Sequence, residues 1–439
     1  MTTLKPEQTS LDIDGPWIRQ SWDDLVFQVH REAFRSQDLF DRERSRIWRK
    51  SWLYLGHVSE VPKPGDYKVR NLGGVPVIFN RDDEGTIHAF LNACPHRGTT
   101  LARDESGNAR FFRCFYHAWT FNSKGELIAL PGAEAYGRDD FKDRLELRTV
   151  PRLAQRGGFV FVSFSETGDD LEEHLAGAAE FIDMIGEHSA DGVDVVPGSH
   201  LYAIRGNWKL AVENAMDGYH FAPTHITFVD FLKKTGFTTD DEGESRPLGN
   251  GHSVLVITGH QGRFGLKWEP RFGEVERQRI EDNRPALDER LGNERAEYIS
   301  EASRILYVYP NLILFDIEGL AIRMLEPVSP DYTMVSAWQM APRDEPAEAK
   351  SQRLKMVQSF IGPGGLATPD DVEAYEAIQR GVAATADDAR FGVDWNDVSR
   401  GMAEEKRGDP AGTTDEIVIR AFWRKWNEAV SAEGTIDGS

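Results

Sequence analysis

Between residues 66 and 164 the apolar residues fall in short runs divided by turn residues. Residues 67–70 and 75–80 flank the Gly73-Gly74 turn, and residues 86–91 follow the Asp82-Asp83-Glu84-Gly85 turn. This spacing predicts a meander of short strands. The run Asn122-Ser123-Lys124-Gly125 predicts a further turn, and residues 158–164 a closing strand. In the second half, apolar runs at 306–308, 312–315, 320–325 and 333–338 are joined by turns too brief for parallel crossovers, so the sheet they form is antiparallel. Helical periodicity at 347–361 and 369–382 supplies covering helices, which makes the fold class α+β. The charged residues up to about Trp48 predict a helical segment. Residues 274–301, dense in Glu and Arg, predict a helical excursion or lid, and residues 238–251 a mobile loop near a pocket. No internal repeat is present. The expected organisation is a helical segment at 1–45 that belongs with the last unit, a β-rich domain at 46–165, and an α+β domain at 166–439.

A chain of 439 residues with a net charge of −21 disfavours nucleic acid and anionic membrane surfaces as partners. No apolar stretch approaches the roughly 18 residues of a spanning helix, and residues 1–7 lack a signal peptide's apolar core, so a cytoplasmic location is expected. Neither G-x-G-x-x-G opening a helix nor G-x-x-x-x-G-K-[ST] occurs, so nothing in the sequence seats a nicotinamide or flavin dinucleotide. Electrons for any redox chemistry must come from a separate protein.

Only two cysteines are present, and both lie in one pattern: Cys94-Pro95-His96, a 17-residue spacer, then Cys114-Phe115-Tyr116-His117. A structural zinc site is a closed tetrahedron, usually with its cysteines paired first and its histidines last. Here cysteine and histidine alternate, which suits a Rieske [2Fe-2S] centre with two thiolates on one iron and two imidazoles on the other. Iron-binding thiols need a reducing compartment.

A second donor group lies at His220 and His225, with Pro223 between them after an amphipathic run from Asn207 to His220. On an unbroken helix the two rings would point about 140° apart, so a helix end and a proline turn are needed for them to converge. Two histidines and a carboxylate form the facial triad of non-haem Fe(II) oxygenases, which leaves coordination positions open for dioxygen. A carboxylate is needed from elsewhere, and the glycine-rich run 362–373 offers both Asp370 and Asp371. Thr368 suits the cap of the helix that starts there, and an ionised Asp371 is favoured in its first turn. Asp217, three residues before His220, is placed on the same helix face, as a third ligand, a surface charge or a carboxylate that orients the imidazole. Asn214 lies one turn earlier and is expected to line the same site.

The flanking residues Arg97-Gly98 and Ala118-Trp119, together with the second histidine pair, resemble the large (α) subunits of Rieske aromatic-ring-hydroxylating oxygenases. Ala118 stands where that family usually has glycine. Across residues such as 53–57, 77–81 and 130–132 the chain is similar to the branch containing p-cumate, benzoate and anthranilate dioxygenases. The resemblance implies a [2Fe-2S] cluster on Cys94, His96, Cys114 and His117, and a mononuclear iron on His220, His225 and Asp371. It also implies that Asp217 links His220 to His117 of a neighbouring copy.

The activity so implied is cis-dihydroxylation of an aromatic ring with O2, in catabolism of aromatic compounds. Electrons would come from a NAD(P)H-dependent reductase, with or without a ferredoxin, and the assembly would be α3 or, with a small β subunit, α3β3. An aromatic acid is the expected substrate, its carboxylate met by Arg323 or Arg263. Monohydroxylation of a salicylate-type substrate and dioxygenation of a polycyclic hydrocarbon, with Phe228, Phe231, Phe237 and Trp268 as lining, are the alternatives. An electron-transfer protein without catalysis and a zinc-stabilised binding module are rivals of other classes. Tyr116 is placed to tune the cluster through a hydrogen bond to sulfur, and Arg97, Arg103, Arg110, Arg113 and Lys124 to form a docking patch.

Overall fold

The computed structural model describes residues 12–137, 144–234, 242–259, 262–384 and 394–432. The chain divides into two compact units, Trp48–His174, and Met1–Ile47 joined with Leu175–Ser439.

The smaller unit is built from three antiparallel sheets. The meander Ile87–Leu91, Val75–Arg81, Asp66–Leu72 and Ser106–Asn108 forms one, and Arg152–Arg156, Phe159–Ser163 and Leu53–His57 another. The third, Leu127–Ala129, Thr120–Asn122 and Phe111–Arg113, is a small sheet whose first hairpin, between Phe111–Arg113 and Thr120–Asn122, carries Cys114 and His117 at its tip. Ile78, Phe90, Phe112, Trp119, Phe121 and Leu147 pack with both cysteines in one buried cluster. Burial of these side chains, each worth roughly 1.5–3 kcal/mol, anchors both cysteine loops. Asn92 ties down the first loop. Its Oδ1 accepts from the backbone N–H groups of Leu101 and Ala102, and its Nδ2 donates to the Ala102 carbonyl.

The larger unit is organised on an eight-stranded antiparallel sheet. The order is Val193–Val195, Tyr332–Pro342, Leu320–Ser329, Leu312–Asp316, Ala302–Val308, His252–Thr258 and Glu242–Gly249, with His200–Ile204 also paired to Tyr332–Pro342. Its central strands Ala302–Val308 and Leu312–Asp316 are almost wholly buried. Helices Trp208–Ala215, Ala347–Ile361, Thr368–Ala383 and Ile417–Ser431 accompany it.

Two expectations are corrected here. Residues 13–30 hold three strands, Ile13–Asp14, Ile18–Ser21 and Val26–His30, the last paired with Trp395–Asp397, and among the segment's described residues the only α-helix is Gln37–Arg46. The alternation is visible in the burial: Ile18 and Gln20 face in, as do Phe27 and Val29. The expected loop at 238–251 is, where described, the edge strand Glu242–Gly249, in register with His252–Thr258. Its polar and proline residues fit an edge, where one side of the backbone has no strand partner. The charged excursion is two helices, Gly273–Leu291 and Asn293–Glu301. Phe237 lies outside the described residues.

Helix Gln37–Arg46 is joined to the helix leading to the histidines by a buried polar knot. Lys209 Nζ lies 2.5 Å from Glu43 Oε1, and the indole N–H groups of Trp208 and Trp426 also donate to that carboxylate. Lys209 and Glu43 are 0% and 1% exposed, so the pair replaces water for both charges.

Candidate metal centres

Cys94 and Cys114 are buried and unbridged. Each starts the same turn: Gly98 N donates to the Cys94 carbonyl, and Ala118 N to the Cys114 carbonyl. The residue closing each turn is left-handed, Gly98 at φ +74° and Ala118 at φ +59°. Glycine adopts that conformation freely, whereas alanine pays on the order of 1 kcal/mol, which is the physical content of the Ala118 departure. Burial, the facing Cys114 thiol and its negative charge push the Cys94 thiol up. A bound cation reverses that penalty, because the thiolate is the ligand.

The His96 and His117 rings are 4.5 Å apart, and His96 stacks on Trp119 at 4.7 Å. The Nδ1 atoms of both histidines are sealed from solvent without a hydrogen-bond partner. Two orphaned imidazole nitrogens beside two unbridged thiols are the donor set of a Rieske cluster, so these residues fit the group. Burial, His117 and Arg97 lower the His96 pKa and keep the ring in its ligating neutral form. Tyr116 is 56% exposed, with its ring 3.8 Å from that of His117. Arg97, Arg103, Arg110 and Arg113 are exposed around this tip, whereas Lys124 is paired with Glu84.

The second centre lies in the larger unit. The expected helix through His220 ends at Ala215, so Asp217 and His220 do not share a helix face. Residues 216–220 form an irregular turn, and a short helix Phe221–Thr224 containing Pro223 separates the two histidines. Pro223 is therefore not the interruption. It sits in the first turn of that helix, where no N–H is required, and the breaks fall at Met216 and at His225. His225 lies between two helices at φ −96°, ψ 44°. The rings end 5.2 Å apart.

His220 Nε2 lies 3.4 Å and His225 Nε2 3.2 Å from Asp371 Oδ1. Among the described residues these three form the one cluster whose donor atoms, all within 4.8 Å of one another, suit an ion. Behind each ring stands another carboxylate. Asp217 Oδ2 is 3.3 Å from His220 Nδ1, close but misaligned for a hydrogen bond, and Asp370 Oδ2 is 3.4 Å from His225 Nδ1. Both Nδ1 atoms thus face outward and both Nε2 atoms inward. Asp370 stands behind His225 rather than among the three.

Asn214 Nδ2 donates to Asp371 Oδ1 at 3.1 Å and lies as close to His220 Nε2, while its Oδ1 accepts from the Tyr375 hydroxyl at 2.7 Å. Burial opposes charge on His220, but Asp217 and Asp371 outweigh it and raise its pKa to about 9. Burial likewise opposes ionisation of Asp371, yet the two histidines hold its carboxyl well below the usual range. An ionised carboxylate and two imidazoles on one point are the set a divalent iron requires, so these residues also fit.

Thr368 is not a helix cap. Ala367 takes the N-cap position without a side-chain bond, and the Thr368 hydroxyl donates to the Ile361 carbonyl and accepts from Arg323. Of the two arginines expected to meet a carboxylate, Arg263 is committed to Asp316. Phe228 is buried against Phe360, ring centroids 4.1 Å apart, and leads through Phe221 to His225. Phe231 is 42% exposed under Arg271, and the Trp268 indole donates to the Gly273 carbonyl. Tyr375, Tyr202 and the Asp370 contact were not found in the sequence; the only signal for Tyr375 was its position one turn after Asp371.

Residues 51–151 match the family described as Rieske [2Fe-2S] domain, and residues 185–432 that described as ring hydroxylating alpha subunit (catalytic domain). The chain is 32% identical over 418 residues to a toluate 1,2-dioxygenase subunit alpha from Pseudomonas putida, covering 92% of this chain and 88% of the relative. It is 34% identical to the large subunit of a 2-halobenzoate 1,2-dioxygenase from Burkholderia cepacia, over 85% of this chain and 80% of that one. Its fold is similar to that of a naphthalene 1,2-dioxygenase solved with indole in the active site, with a TM-score of 0.80, 26% identity and 92% of both chains covered. With its two domains in the family's order and both donor sets in place, the chain belongs to the α subunits of the Rieske non-haem iron ring-hydroxylating oxygenases.

Proposed function

We propose that this chain is the terminal oxygenase subunit that cis-dihydroxylates an aromatic carboxylic acid. The reaction adds both atoms of O2 to adjacent ring carbons and consumes two electrons and two protons. The observation that carries the proposal is the convergence of His220 Nε2, His225 Nε2 and Asp371 Oδ1 on one point, in a chain that also holds the two cysteine–histidine turns. His220, His225 and Asp371 would hold the iron; Cys94, His96, Cys114 and His117 would hold the cluster. When bound, the iron supplies dioxygen activation and the cluster supplies single electrons.

The protein's own side chains do the rest. Asp217 and Asp370 fix which nitrogen of each histidine faces inward. Tyr375 orients Asn214, and Asn214 holds the Asp371 carboxylate. Phe221, Phe228 and Phe360 form an apolar aromatic wall beside His225 that suits a planar ring and excludes water.

The relatives include the large oxygenase component of a naphthalene 1,2-dioxygenase system, and a chain without a dinucleotide motif needs such a system's reductase. The Asp217 side chain is 24% exposed while in contact with His220, which leaves an edge for His117 of a neighbouring copy. That edge supports an α3 or α3β3 assembly with electron entry through Asp217. The exposed arginines and Phe115 at the cluster tip suit a docking protein, and the setting proposed is cytoplasmic; no helix among the described residues is long and apolar enough to cross a membrane.

The test is product analysis under 18O2 with the complete electron chain. A cis-diol of an aromatic acid carrying both labels is expected. One label only would indicate monohydroxylation, and conversion of naphthalene but no acid would overturn the substrate class.

A further inference from the structure

Six arginines are buried among the described residues: Arg70, Arg263, Arg304, Arg323, Arg353 and Arg420. Five have a carboxylate within ion-pair distance, namely Glu60 for Arg70, Asp316 for Arg263 and Arg304, Glu345 for Arg353 and Glu405 for Arg420. That is what physics demands, because an unpaired buried charge is costly. Arg323 is the exception. It is 7% exposed, and its guanidinium bonds only through Nη2, to the Ile361 carbonyl at 3.0 Å and the Thr368 hydroxyl at 2.8 Å. Its Nε and Nη1 have no protein partner, yet neither is sealed from solvent-sized space. The guanidinium carbon lies 4.6 Å over the Phe315 ring.

Its place in the fold gives this charge a use. Thr368 precedes Asp371 by three residues in helix Thr368–Ala383, about one helical turn. Tyr202 and Tyr375 stand near both: burial raises their pKa values, and each phenol feels the positive charge of Arg323 and the negative charge of Asp371. Tyr375 in turn holds Asn214. A guanidinium with Nε and Nη1 still to be filled, an aromatic ring beneath it and the histidine–carboxylate site one turn away suit a carboxylate attached directly to a benzene ring, held by a single charge-assisted hydrogen bond.

We infer that Arg323 is the specificity residue that binds the substrate's ring carboxylate and so places the ring beside His220, His225 and Asp371. This rests on the reading of the chain as an aromatic-acid oxygenase. Removing a charge-assisted hydrogen bond should cost about tenfold or more in affinity.

The experiment compares the iron-loaded wild type with Arg323→Gln and Arg323→Lys, measuring binding and KM for benzoate, 3-methylbenzoate and 2-aminobenzoate, with benzamide and naphthalene as uncharged probes. Weakening of the acids by tenfold or more in Arg323→Gln, partial recovery in Arg323→Lys and unchanged benzamide binding support the inference. Equal binding of the acids by wild type and Arg323→Gln overturns it and leaves the acid-oxygenase reading intact. Binding of naphthalene and of no acid by the wild type overturns both. Thermal unfolding guards against a structural explanation: Arg323→Gln leaves no anion stranded, so its midpoint should hold, whereas Arg263→Gln takes from the buried Asp316 one of its two arginines and should fall. A fall in Arg323→Gln as large as in Arg263→Gln would count against the inference.

Discussion

Removal of Asp217 is expected to separate holding iron from using it. Its carboxylate touches His220 Nδ1 at 3.3 Å and accepts the Tyr219 N–H at 2.7 Å, and it makes no contact with His225 or Asp371. Asp217→Ala therefore leaves all three inward-facing donors in place. Loss of a carboxylate that orients a ligating histidine costs about 10–100-fold in metal affinity or activity, which is about 1.4–2.8 kcal/mol. An iron site with two imidazoles and Asp371 should survive that loss when iron is supplied in excess. If Asp217 only orients His220, turnover should fall within the same 100-fold. If it also carries electrons from a neighbouring copy's His117, turnover should fall further while both metals remain. Iron content, the EPR signal of the reduced cluster and steady-state product formation decide the matter on one preparation, with Asp217→Asn as the isosteric control. Product formation at the wild-type rate in an iron-replete Asp217→Ala protein would refute the reasoning.

Two further outcomes follow from buried charge. In the metal-free protein His220 has a folded pKa of about 9 against 6.5 unfolded, so its contribution to stability is fully present below pH 6.5 and is lost as pH rises through 9. The shift corresponds to about 3 kcal/mol at most; urea midpoints measured at pH 6 and pH 10 should fall for the metal-free protein, and a flat profile would contradict the contact geometry. Lys209→Met strands the Glu43 carboxylate in the core and should cost about 3–5 kcal/mol, whereas Glu43→Gln with Lys209→Met should cost less. A double variant less stable than the single one in chemical denaturation would show that the polar knot is not held by that pair.

Local pattern made much of the fold legible. The strands Val75–Arg81, Leu312–Asp316 and Leu320–Ser329 are bounded by turn residues, and each lies in an antiparallel sheet as its short connections require. Segments whose placement depends on distant partners were harder to read. Residues 13–30 hold three short strands paired with one another, and the last of them, Val26–His30, is completed by Trp395–Asp397, more than 360 residues away. The edge strand Glu242–Gly249 reads as loop because a strand with one neighbour tolerates polar residues.

The site divides along the same line. Cysteine and histidine spacing pointed to Cys94, His96, Cys114 and His117, and the pair His220 and His225 pointed to a second centre. The helix end that brings the latter together lies at Ala215, because residues 216–220 turn away to place Asp217 and His220. The partners of those donors come from far along the chain: Asp370 on His225, Tyr375 on Asn214, and Thr368 on Arg323 rather than on its own helix. Spacing along the sequence carries no information about such contacts.

The most direct test of the central claim is a count of iron and acid-labile sulfide per chain in anaerobically prepared protein, repeated with His225→Ala. The wild type should hold the cluster's two irons and two sulfides plus one further iron, and His225→Ala should lose only the iron that is not matched by sulfide. A protein that holds no iron, or a His225→Ala variant with an unchanged count, would contradict the assignment of two separate centres.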